Sequence, residues 1–120
     1  RSLQCALIKI DCEGFETRIL RGANSLLSIS RPALMIECND PALEASGSNR
    51  RELFQLLRSY SYRLFHLASF TGNYPFGVAI DESFPAVEFN FAAIPDDAPN
   101  LERWSEISAI MSSRASASRF

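Results

Sequence analysis

Leu7-Ile8-Lys9-Ile10-Asp11-Cys12-Glu13-Gly14-Phe15-Glu16 runs a strand-like apolar segment straight into three acids wrapped around a glycine. In an open α/β sheet, ligands bind in the crevice outside the carboxyl ends of the strands, so Asp11 and Glu13 fall where a site belongs. A second strand end of this kind follows at Ala33-Leu34-Met35-Ile36-Glu37. The helix-length gap between the two suits a parallel crossover, which would make the strands neighbours and bring Asp11, Glu13 and Glu37 to one crevice. Gly14 permits the tight turn between strand and helix.

Working outward, Cys5 to Asp11 reads as a strand with both faces covered, interrupted by Lys9, the only lysine of the chain. Phe15 to Ile29 has helical spacing, with Phe15, Ile19, Ala23 and Leu26 or Leu27 expected inward, and Arg31-Pro32 stops it. Ala33 to Cys38 is the next buried strand, and Asn39-Asp40-Pro41 opens a polar loop through Asn49. Asn49 is placed to cap a helix running to about Ser59, with Leu53, Phe54, Leu56 and Leu57 inward and Glu52 at its third position. Tyr62 to Ala68 is a strand. Thr71 to Pro85, with two glycines and two prolines, reads as a long loop holding a short strand at Gly77 to Ile80, and it is expected to wall the site. Val87 to Ile94 is the last strand, ended by Pro95, and Leu101 to Met111 has the spacing of an amphipathic helix with Leu101, Trp104, Ile107 or Ile110, and Met111 on one side. The serine-rich stretch 113–120 has neither period nor core and is expected to be disordered, leaving residues 1–112 as one domain.

The string Lys-Ile-Asp-x-Glu-Gly-x-Glu, with Leu20-Arg21-Gly22-Ala23 and the strand Pro32 to Glu37, resembles the signature of FkbM-type methyltransferases over roughly residues 7–95. The resemblance implies an S-adenosylmethionine-dependent enzyme of Rossmann-like (class I) fold, a three-layer α/β/α sheet whose last strand is antiparallel and lies inside the far edge. It also implies O-methylation of a sugar or natural-product hydroxyl, so the expected partner is a small-molecule or saccharide acceptor. In that family a Gly-rich turn after the first strand holds the donor. The five glycines here, at 14, 22, 47, 72 and 77, form no Gly-x-Gly cluster, so the chain looks like the C-terminal half of such a domain. Asp11 is then a minor cofactor-binding residue at most. A second reading is a methyltransferase-like remnant or interaction module without donor binding, self-associating through the sheet edge that the first strands would cover.

Transfer of a methyl group to an alcohol requires a base or a metal to take the hydroxyl proton. Asp11, Glu13 and Glu37 suit either role: crowded carboxylates raise one pKa, and they also bind hard cations such as magnesium. Against this stands helix support, in which Asp11 and Glu13 cap the helix near Phe15 and Glu16 complements its dipole. A site is the stronger reading for Asp11 and Glu37, dipole support for Glu16, and Glu13 lies between. His66, the only histidine, sits in an apolar run and reads as a hydrogen-bonded core or edge residue rather than a catalytic base. Asn90 falls where the family often has an asparagine. Trp104, Phe89 and Phe91 read as packing.

Net charge of -2 gives no general attraction to nucleic acid or anionic membranes, and Arg50-Arg51 and the tail arginines Arg114 and Arg119 read as solvated charges. Apolar runs are strand-sized, about five residues against the roughly 20 of a spanning helix. Cys5, Cys12 and Cys38 are an odd set without metal-ligand spacing and read as reduced, buried thiols, which suits a cytoplasmic protein.

Overall fold

The computed structural model describes residues 7–11 and 13–117. The elements are β1 (Leu7–Ile10), α1 (Glu16–Gly22), a π-helical turn (Leu26–Ser30), β2 (Ala33–Asn39), α2 (Asp40–Ala45), α3 (Arg50–Ser59), β3 (Tyr62–Ser69), β4 (Glu88–Pro95) and α4 (Ala98–Ala117). The four described strands form one open sheet in the order β1-β2-β4-β3. β1 and β2 are parallel neighbours, Leu7 opposite Ala33 and Ile10 opposite Ile36. β4 is antiparallel to both β2 and β3 and lies between them. The mixed α/β architecture, the parallel first pair and the antiparallel last strand inside the far edge therefore match the reading of the sequence. Cys5 and Cys12 lie outside the described residues.

β2 alternates strictly. Leu34, Ile36 and Cys38 are buried, and Ala33, Met35, Glu37 and Asn39 are half-buried on the opposite face. The buried side meets α1 and α3 through a core of Leu20, Leu27, Leu53, Phe54, Leu57, Phe89 and Phe91. Phe54 sets its ring edge-on to Phe91 at 5.1 Å, the favoured arrangement of two quadrupoles. On the other face, Phe65, Ala92 and Ile94 form a smaller cluster under Leu101 and Trp104 of α4. Trp104 thus packs against Phe65, 5.4 Å between ring centroids, on the side away from Phe89 and Phe91.

Several local expectations are corrected. β1 is only partly covered: Leu7 and Lys9 are exposed, and Ile10 alone is buried. The helix after Gly14 is broken near Ala23 and buries Glu16, Thr17 and Leu20, while Phe15 and Ile19 face out. Its register is set by the local bond from the Gly14 N–H to Glu16 Oε1, 3.0 Å, and by burial of Leu20 and Leu27. The polar stretch after β2 is a helix, not a loop, because the Asn39 side chain accepts from Ala42 N and Pro41 occupies the first turn, where its missing N–H costs nothing. α3 begins as read, with Asn49 accepting from Glu52 N at 2.9 Å. α4 begins earlier than Leu101 and extends to Ala117, taking in the first part of the stretch expected to be disordered, and residues 118–120 lie outside the described set. Ile107, Ile110 and Met111 of this helix are exposed.

Arg50 is not a solvated charge. Its side chain is 11% exposed and grips both carboxylate oxygens of Asp40, at 3.1 and 2.7 Å. It also donates to the carbonyls of Phe84 and Ala86 and lies over the Phe89 ring. The 71–85 loop is therefore a structured flap along the core. Gly77 N and Ile80 N donate to His66 O and Leu64 O, and His66 N donates to Val78 O, so the segment expected as a strand shields the outer edge of β3 with a single bridge, Phe65 to Ala79. His66 is buried, as expected of a core histidine: its Nδ1 donates to the Pro75 carbonyl at 2.8 Å, and Ser69 Oγ lies 2.7 Å from Nε2.

Candidate functional site

Strand β1 ends at Ile10, and Asp11 follows at the carboxyl end of the sheet. Glu13 and Gly14 then form the turn into α1 with positive φ, 49° and 99°, a backbone region that glycine enters freely and glutamate does not. A side chain at position 14 would place Cβ 2.2 Å from Ala42 O, so glycine is required for the turn to lie against α2. Next to it, β2 delivers Glu37 and Asn39, two residues apart on one face.

Asp11, Glu13 and Glu37 come together, as the sequence leads one to expect. They line an open hollow of about 570 Å³ with Phe15, Asn39, Ala42, Ala45, Ser46 and Glu88. Burial, followed by the charges of Asp11, Glu88, Glu16 and Glu13, holds the Glu37 carboxyl above its ordinary value near 4.5. Glu16 itself is buried beneath the turn rather than in the hollow, with its Oε1 accepting from Gly14 N, in keeping with a supporting role. Neither Asp11 nor Glu13 caps α1, whose N-cap, Phe15, makes no side-chain cap bond.

Glu88 was not read from the sequence as part of the site. An antiparallel strand starts where its neighbour finishes, so an acid at the start of β4 lands at the carboxyl edge of β2. The register makes this explicit: Glu37 faces Asn90 and Asn39 faces Glu88. The acid at the head of the last strand was the available signal. The 71–85 loop, expected to wall the site, contributes no residue to the hollow's lining, because its aromatic residues Tyr74 and Phe84 are drawn onto the core. His66, engaged at both ring nitrogens, and Trp104, packed under α4, also lie outside it. Cys38, adjacent in sequence, points into the core, where burial pushes its thiol up to about 12 and makes it a poor nucleophile.

Among the described residues, no three His, Cys, Asp or Glu side chains are grouped so as to hold a metal ion. Among the described residues, the apolar lining of the hollow is Phe15, Ala42 and Ala45. No helix of the described residues is long and apolar enough to cross a membrane.

A chain with an α/β sheet and an acidic crevice at the ends of adjacent parallel strands has the layout of a ligand-binding α/β enzyme. A family model described as the methyltransferase FkbM domain matches residues 3–64, just over half of the chain. The chain belongs to that family. No curated protein and no solved structure matches it.

Proposed function

We propose that this chain carries the acceptor side of an S-adenosylmethionine-dependent methyltransferase with a Rossmann-like sheet, and that the reaction is O-methylation of a sugar or natural-product hydroxyl. The observation that carries the reading is the convergence of Asp11, Glu13, Glu37 and Glu88 on one hollow at the carboxyl ends of β1 and β2 in a chain of this family. The acceptor hydroxyl donates a hydrogen bond to Glu37, whose raised affinity for a proton suits a general base. Asp11, Glu13 and Glu88 accept from neighbouring hydroxyls, and Asn39 supplies a donor. Among the described residues, no lysine or arginine lines the hollow, which favours a neutral polyhydroxyl or a positively charged acceptor over a phosphorylated or carboxylated one.

A second reading is a methyltransferase-like module that binds no donor; this sequence holds no Gly-x-Gly turn. Calorimetric titration with S-adenosylhomocysteine, followed by transfer of labelled methyl to a panel of neutral and amino sugars, separates the two. Enzymatic function predicts binding, transfer, and a loss of transfer on the order of 10²-fold or more in Asp11→Asn and Glu37→Gln with donor binding retained. A well-folded chain that binds no S-adenosylhomocysteine would leave the second reading standing.

A further inference from the structure

Two segments distant in sequence, the β1–α1 turn and α2 with the residues after it, line the hollow side by side, and three side-chain bonds stitch them together. Ser46 Oγ lies 2.5 Å from Gly14 O and 2.8 Å from Leu43 O. Arg18 donates to Ser46 O at 3.2 Å, and the Ser48 and Thr17 hydroxyls are hydrogen-bonded at 2.9 Å. Gly14 sits so close to α2 that no Cβ could be accommodated against Ala42 O. α2 has six residues, too few to hold its place by its own hydrogen bonds, so its position against the turn depends on what it touches.

We infer that Ser46 is a positioning residue of the acidic hollow: its hydroxyl, shared between Gly14 O and Leu43 O, seats the β1–α1 turn on α2 and thereby sets Asp11 and Glu13 opposite Glu37. The inference rests on the hollow being the acceptor site. Gly14 has both of its peptide polar groups taken by side chains, its N–H by Glu16 and its carbonyl by Ser46. With φ of 99°, this residue sets the direction in which Glu13 leaves the turn. Removing the hydroxyl frees the turn to lift from α2, moving Asp11 and Glu13 away from Glu37 and admitting water between them. Ser46 holds no proton of the reaction and is not assigned to the acceptor itself.

The test uses the folded chain without donor or acceptor, so its outcome is independent of whether methyl transfer is found. Side-chain carboxyl NMR follows the titration of Glu37 in the wild-type chain, in Ser46→Ala and in Ser46→Thr, with urea unfolding of each in parallel. The charges that act on Glu37 are those of Asp11, Glu88, Glu16 and Glu13. Ser46→Ala is expected to lower the Glu37 midpoint on the order of 0.3 pH unit, what moving a carboxylate a few ångströms away in wet surroundings amounts to. Ser46→Thr, which keeps the hydroxyl, is expected to restore it. An unchanged midpoint in Ser46→Ala overturns the inference even if stability falls, because a merely structural serine would cost stability and leave Glu37 alone. A shift that Ser46→Thr fails to restore overturns it too, by assigning the effect to something other than the hydroxyl.

Discussion

Glu37 ends an apolar strand and faces other acids, and its protonation is linked to folding. Its folded-state pKa is raised, so its contribution to stability is fully present below about 4.5 and is lost as pH rises through the folded value. At neutral pH the ionised group is therefore a net cost. Glu37→Gln is expected to stabilise the chain by about 0.5 kcal/mol at pH 7, a figure discounted for solvent screening at this half-exposed position. The gain should vanish near pH 3, as read from urea unfolding at the two values. A variant no more stable than wild type at pH 7 would contradict the crowding of carboxylates. The same residue illustrates what a sequence makes visible at this scale. An acid closing an apolar run stands out against its neighbours, which is why Asp11, Glu13 and Glu37 were legible. Glu88 opens a run instead, and only the direction of its strand gives it a place beside Glu37.

At the level of elements, the turn after β1 is the most constrained segment of the site. Gly14→Ala would force a side chain into a positive-φ position and drive Cβ against the Ala42 carbonyl. The expected loss is about 2–4 kcal/mol, measured as a fall in the urea midpoint. Gly22→Ala, where nothing lies within 4 Å of an added Cβ, is the control and should be neutral or mildly stabilising. Elements whose local chemistry and packing agree were readable: the alternation of β2, the Asn49 cap of α3, and the Arg31-Pro32 stop, where Arg31 takes a left-handed conformation at φ 51°. α2 was hidden because Asn39-Asp40-Pro41 opens a turn and a helix with the same residues, and only the contacts of Leu43 and Ala42 decide between them. The inward face of α1 was misread for a related reason. Glu16 and Thr17 are polar by composition yet buried by tertiary contacts, while the larger Phe15 and Ile19 are left on the surface.

Across the whole molecule, Arg50 joins the start of α2, the start of α3 and the end of the 71–85 loop through one guanidinium. Its planar fork satisfies Asp40 and several carbonyls at once, which an ammonium cannot do. Arg50→Ala is expected to cost about 3 kcal/mol by leaving Asp40 and buried carbonyls without a partner, and Arg50→Lys should recover only part of that. Equal stability of the three proteins in urea would argue that the cluster is solvated. No pattern in the sequence distinguishes Arg50 from the exposed Arg51 beside it, because the difference lies in a loop that returns from more than thirty positions away.

The placement of β4 also fixes an order of events during synthesis. β2 and β3 emerge first, but they do not pair with each other; each pairs with β4, which is made after both. Until translation has passed Pro95, the nascent chain carries two apolar strands whose shared partner does not yet exist, and such unpaired edges are the surfaces through which growing chains aggregate. Assembly of the sheet is thus governed by its last strand, and the hollow acquires Glu88 at the same moment.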